Sequence, residues 1–227
     1  MALKAPKNSG GGDRVPQPTI EAGSYPNRLV QIIDLGLQPQ RPYKGQDKAP
    51  MHEIMLTYEL VDTFMIDENG NELEDKPRWV SETLPLHSIK ADKAKSTQRY
   101  LTLDPENEND GDWSEQLGKP SNVTLIINQV GDKTYTNVAG LSKMRDRDAD
   151  RCPALKNPTK LFDLSEPSLE VFESLPEWIQ EKIKGNLEYA GSPLEKLLGK
   201  GGKAPAKAPK AAPAPAPEPE EEDNRPF

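Results

Sequence analysis

Between positions 25 and 152 the chain carries five short apolar runs, and the pattern inside and between them leaves few folds open. Residues 29–37 (LVQIIDLGL) are apolar enough for a strand partly covered on both faces. Ile54, Leu56, Tyr58 and Leu60 alternate with Met55, Thr57 and Glu59, the period of two that marks a half-buried strand. Asp67-Glu68-Asn69-Gly70-Asn71 holds an Asn-Gly turn signal, which joins that strand to a third over 78–84 as a hairpin. Residues 87–103 (HSIKADKAKSTQRYLTL) are rich in helix formers, with Ile89, Ala94 and Tyr100 as inner contacts. A second hairpin follows: 123–130 (VTLIINQV), the turn Gly131-Asp132, and 133–142 (KTYTNVAGLS).

Five strands with a helix between the third and fourth is the order of the OB-fold, a small Greek-key barrel. The expected architecture is therefore mainly β: a five-stranded OB-fold barrel over 25–152, with a helical extension over 153–198 and tails at both ends. In the extension, Ser174-Leu175-Pro176-Glu177 fits a capping box. Trp178, Ile179, Ile183 and Leu187 then follow helical spacing, so two short helices are expected, packed on the barrel or on a partner.

The ends explain why hydrophobic residues make up only 34% of the 227-residue chain. Residues 1–24 are Gly, Pro, Lys and small polar types, an arm expected to be disordered with nothing to pack. Residues 199–217 (GKGGKAPAKAPKAAPAPAP) use four residue types only. Their recurring Pro forbids helix and leaves an extended tether, reaching at most about 60 Å at ~3.1 Å per residue. An acidic block then follows, Glu218, Glu220, Glu221, Glu222 and Asp223, and the chain ends Asn224-Arg225-Pro226-Phe227.

Composition narrows the function classes. One cysteine, Cys152, and two histidines, His52 and His87, exclude a disulfide framework and a cysteine-built zinc site, and suit a reducing compartment. No run approaches the ~18 apolar residues of a membrane span, and the start MALKAPKNSGGG has no apolar signal core. A cytoplasmic protein without metal or cofactor is expected. Asp146, Asp148 and Asp150 mimic a calcium loop, but Arg151 stands where Gly is needed and Asn157 where the closing Glu belongs. Asp67, Asn69 and Asn71 fail the same test, and Gly10-Gly11-Gly12 lacks the Lys-Ser/Thr of a phosphate loop. His87 and Cys152 have no partner motif, so no catalytic residue is assigned.

Binding of unpaired nucleic acid needs cations along a groove and aromatic faces for bases. Lys+Arg number 29 against 37 Asp+Glu, a net charge of −8. Over 25–152 the counts are 16 and 22, but eleven of the acids fall in two expected loops, 67–75 and 104–115. A cationic face is compatible with that distribution. Arg41, Tyr43, Lys44 and Lys48 fall in the connection after the first strand, a loop that OB-folds use on oligonucleotides. Trp79 shares a strand face with Ser81 and Thr83 while Val80 and Leu84 point the other way, so Trp79, with Arg78 beside it, is expected outside the barrel. Lys90, Lys93, Lys95 and Arg99 would line a helix face, and Lys133, Lys143, Arg145 and Arg147 bracket the last hairpin. Tyr58 and Tyr135 alternate with core residues and are expected to be buried.

The tether, the acidic block and the final Pro226-Phe227 resemble the C-terminal tip of bacterial single-stranded DNA-binding proteins. In that family the tip is a docking peptide, which implies partner-binding roles for Glu220, Glu221, Glu222, Asp223, Pro226 and Phe227. With the barrel order, residues 28–151 and the segment FESLPEWIQEKIKGNLEY (172–189) are similar to phage-encoded single-stranded DNA-binding proteins. The chain departs from the bacterial proteins at Arg225, where an apolar residue is usual, and in its appended helices, so their tetramer is not carried over. The resemblance implies coating of single-stranded DNA in phage replication and recombination, inside the bacterial host. It also implies recruitment of a polymerase, helicase-primase or nuclease through the tip. An OB-like interaction scaffold or virion component that binds no DNA is the alternative, and the number of acids is all that supports a nuclease.

Overall fold

The computed structural model describes residues 15–201 apart from Tyr43 and Asp132. Five long strands run β1 (Gly23–Gln38), β2 (Met51–Ile66), β3 (Glu72–Pro85), β4 (Pro120–Val130) and β5 (Lys133–Ser142), with α1 (Lys95–Leu103) between β3 and β4. They pair antiparallel in the order β3-β2-β1-β4-β5. The result is a curled five-stranded half-barrel, the OB-like architecture expected from the strand order.

The curl originates in β1. Its register slips between Leu29 and Gln31 and again between Asp34 and Gly36, and bulges of this kind bend a strand and raise its twist. One edge of β1 pairs with β2, while the other serves β4 over 23–28 and a short parallel strand, β6 (Lys160–Phe162), over 31–33. At the second bulge Gly36 has φ +76°, and Asp34 Oδ1 accepts from its N–H at 2.8 Å. A Cβ there would lie 2.8 Å from Asn186 Cγ and 2.9 Å from Leu164 Cδ1, so glycine is required by backbone and by packing alike.

The first hairpin closes as its Asn-Gly signal predicts. Gly70 sits at φ +82°, and Asp67 Oδ1 accepts from the N–H groups of Asn69 and Asn71 at 2.8 and 2.9 Å. The strand edges β3 and β5 approach each other without a ladder among the described residues, and α1 bridges them. Arg99 donates from Nε to Glu82 Oε1 on β3 at 2.8 Å, and from Nη2 to Glu82 Oε2 and to the Ala139 carbonyl of β5, both at 3.2 Å. Tyr58 adds a 2.8 Å bond from its hydroxyl to Glu82. Burial and the adjacent Glu82 carboxylate push the Tyr58 phenol well above its ordinary value.

Two apolar cores sit on opposite faces of the sheet. Inside the barrel are Leu29, Ile32, Leu56, Tyr58, Leu60, Val80, Leu84 and Val123, among others. Outside it, Ile33, Leu35 and Met55 pack against Phe162, Phe172, Ile179, Ile183 and Leu194 of the extension. After α2 (Asp146–Ala149), the extension comprises β6, α3 (Leu169–Glu173), α4 (Glu177–Lys184) and α5 (Pro193–Gly201). It therefore packs on the barrel, sharing a core with β1 and β2.

Several local expectations are corrected. The helix expected over 87–103 begins only at Lys95. Ser88 and Ser96 supply competing bonds, from Thr97 Oγ1 to the Ser88 carbonyl and from the His87 N–H to Ser96 Oγ, which hold 87–94 as turns. Three short helices replace the expected two. The capping box does not form: Pro176 is the N-cap of α4 without a side-chain bond, and Ser174 Oγ donates instead to the Val171 carbonyl at the end of α3. Ile179 and Ile183 face inward, but Trp178 and Leu187 are exposed. Residues 15–24 are not without packing: Ile20 is buried in the barrel core, and Gln17 exchanges hydrogen bonds with the backbone of Ile66. Glu72, Glu74 and Asp75 lie in β3 rather than a loop.

Candidate nucleic-acid interface

Three residues stand in a row across the outer face of the sheet. Arg28 of β1 pairs with Glu59 of β2, and Glu59 pairs with Trp79 of β3. Their strand neighbours Leu29, Tyr58, Leu60 and Val80 fill the barrel core, so the alternation of a strand turns all three outward. Trp79 is 44% exposed, as its spacing from Val80 and Leu84 predicts. Its Nε1 donates to Glu59 Oε2 at 3.1 Å, which anchors one edge of the indole and leaves ring surface open.

The segment entering the extension crosses this row. Arg28 donates to the carbonyls of Pro153, Gly118 and Cys152 at 2.7, 2.6 and 2.9 Å. Glu59, only 1% exposed, accepts from the Lys156 N–H at 2.6 Å and from Asn157 Nδ2 at 2.7 Å. An open groove of about 440 Å³ runs beside Trp79, walled by Met65, Pro77 and Asn157. Lys76, Arg78 and Asp75 supply its charge. Arg78 is half-buried and donates to the Pro18 carbonyl at 3.0 Å; desolvation lowers its pKa from the ordinary value. Lys76 is exposed.

Of the residues singled out from the sequence, the structure brings Arg78 and Trp79 into this groove and distributes the others. Arg41, Lys44 and Lys48 are exposed in the β1–β2 connection, next to the Gln38–Met51 end of the ladder. Lys133 is exposed where β5 begins, beyond the opposite end of β1, where Gly23 pairs with Leu125. Lys90 and Lys93 lie in the turns before α1, and Arg99 is buried against Glu82, so the expected cationic helix face does not form. Lys143 and Arg145 make exposed ion pairs with Asp146 and Asp148, at 3.4 and 2.7 Å. Tyr58 is fully buried and Tyr135 half-buried. Tyr43 and the tip residues Glu220, Glu221, Glu222, Asp223, Pro226 and Phe227 lie outside the described residues.

Sequence reasoning missed Arg28, Glu59, Lys76 and Asn157. The local signal was Glu59 itself, the one charged residue in the stretch 54–61, set between Tyr58 and Leu60. The acids are also less uniform than expected. Asp104 is buried, and accepts from the N–H groups of Glu108 and Asn109 and from the Tyr100 hydroxyl. Desolvation raises its pKa, but the bonds from Asn109, Glu108 and Tyr100 outweigh that and hold it below the usual range. Burial pushes the half-buried Cys152 thiol up, away from a reactive thiolate. Among the described residues no group of three His, Cys, Asp or Glu is placed to hold a metal ion, and no helix is long and apolar enough to cross a membrane.

No protein-family model matches this chain, and no curated protein matches it.

Proposed function

We propose that this chain binds single-stranded DNA with little sequence preference, through the outer face of β3 and the groove beside Trp79. The observation that carries the reading is Trp79: an aromatic ring held open on an OB-like sheet, with Lys76 and Arg78 at the same groove. Stacking of a base on such a ring is worth about 1–3 kcal/mol, and the cations supply phosphate neutralisation. The exposed Arg41, Lys44, Lys48 and Lys133 extend the contact along the strand. The protein acts by binding, without catalysis, in phage replication and recombination inside the host cell. Its tip, Glu220–Asp223 with Pro226-Phe227, recruits a polymerase, helicase-primase or nuclease. An aromatic side chain close to a block of acids is a compact anchor for such docking.

Fluorescence anisotropy with labelled oligo-dT and duplex DNA across a salt series tests the reading. Single-strand preference is expected, with a log–log slope of roughly −0.7 per phosphate neutralised. Equal affinity for duplex, or no binding at low salt, would refute it. The acidic tip also shields the cations when no DNA is bound, so deleting residues 218–227 tightens binding at low salt; unchanged affinity would remove this part. A protein-docking role without DNA is favoured by one observation, the 57% exposure of Trp178 on α4.

A further inference from the structure

Glu59 ties together two parts of the chain that are about a hundred residues apart. A buried carboxyl group is costly unless its oxygens find donors, and here three donors converge on it. One is the Trp79 indole, from the neighbouring strand; the other two, the Lys156 N–H and the Asn157 amide, come from the segment that enters the extension. The indole and the segment therefore share one acceptor, and neither can shift without disturbing the other. Arg28 fixes the same segment further upstream, at Cys152 and Pro153.

This arrangement determines what Asn157 offers. With Nδ2 turned to Glu59, the amide oxygen is turned away from it, and Asn157 lines the groove beside Trp79. The groove then combines an aromatic ring, the apolar walls of Met65 and Pro77, and one oriented acceptor, while Lys76 and Arg78 supply cations for phosphate. An aromatic ring with an apolar wall and a single acceptor suits a nucleobase, since every base has a π-face and carries at least one N–H donor on its pairing edge.

We propose that Glu59 is a positioning residue and that the extension completes the site, Asn157 flanking a subsite for one unpaired base stacked on Trp79. The inference rests on the single-strand-binding reading and adds to it a role for the segment 153–158. Glu59 touches no DNA; it orients the ring and the amide that do. A base in this subsite accordingly stacks on Trp79 and donates an N–H to Asn157 Oδ1, as thymine N3–H can.

The test uses the full chain carrying Trp178→Phe, so that the emission change on binding reports chiefly on Trp79; Trp113 is packed edge-on against Tyr100 at 5.3 Å. In that background, Glu59→Gln and Asn157→Ala are titrated with oligo-dT by anisotropy and tryptophan emission across a salt series. Glu59→Gln is expected to weaken binding about fivefold, the low end of one base stack, and to diminish the emission change. Its salt slope stays that of the parent, because no phosphate contact is removed. Asn157→Ala leaves the Trp79–Glu59 bond in place, so it keeps the emission of the free protein while losing affinity. If Glu59→Gln fails to fold, Asn157→Ala decides alone. A parent that binds oligo-dT while both variants match it in affinity and emission change would overturn this inference and leave the broader reading standing. A parent that binds no single strand would overturn both.

Discussion

Replacing Arg99 by Met removes a side chain that hydrogen-bonds both unpaired edges of the barrel, β3 and β5. Arg99 and Glu82 are 5% and 9% exposed at their side chains, and their bidentate pair also reaches the Ala139 carbonyl of β5. In the variant, Glu82 keeps only the Tyr58 hydroxyl as a donor among these partners, and its charge stays buried between β3 and α1. Breaking a buried pair from one side costs about 3–5 kcal/mol, a large part of the ~5–15 kcal/mol that holds a typical domain together. For a chain of this size that is a fall of roughly 6–20 °C in Tm. Urea unfolding followed by tryptophan emission measures the loss, and hydrogen exchange should show protection falling first in β3 and β5. The double variant Glu82→Leu with Arg99→Met should regain much of the stability, because it leaves no charge behind. A loss below about 1 kcal/mol in Arg99→Met would refute the argument that this pair substitutes for the missing β3–β5 ladder.

Gly36→Ala should destabilise by about 1–3 kcal/mol, because φ +76° and the side chains of Asn186 and Leu164 both oppose a Cβ there; the urea midpoint reads it. Asp34 is raised above its ordinary 3.8, first by desolvation and then by Asp163, with only partial relief from the N–H groups of Gly36 and Leu164 and from His52. A raised acid favours the fold most while protonated, so its contribution is lost as pH rises from about 3.8 through the folded value. Asp34→Asn removes that loss, and its stability relative to the parent should improve between pH 4 and pH 7; a constant difference would contradict the desolvation. Lys76→Gln should reduce the salt slope of oligo-dT binding by about 0.7, with affinity falling similarly for every sequence.

The barrel was legible because its signals are local. Alternation in 54–60, the Asn-Gly turn at 69–70 and the break at Gly131 each fix a strand or a hairpin without reference to the rest of the chain. The outward face of Trp79 followed from the same period of two. What surrounds Trp79 was not legible, since Glu59 finds Lys156 and Asn157 across 97 and 98 residues, and no spacing rule links them. Arg99 misled for a related reason: on a helix of basic residues it looks like one more solvated cation, and only the approach of β3 and β5 buries it. The capping box at Ser174 failed because Leu175-Pro176 is too short a link to free Ser174 from the end of α3.

The central claim is that DNA is held at Trp79, and the affinity of Trp79→Ala for oligo-dT tests it most directly. Loss of one stacked base predicts binding weaker by about 5- to 150-fold, with the parent's salt slope retained. Parental affinity in a variant that unfolds at the same urea concentration would show that the strand lies elsewhere.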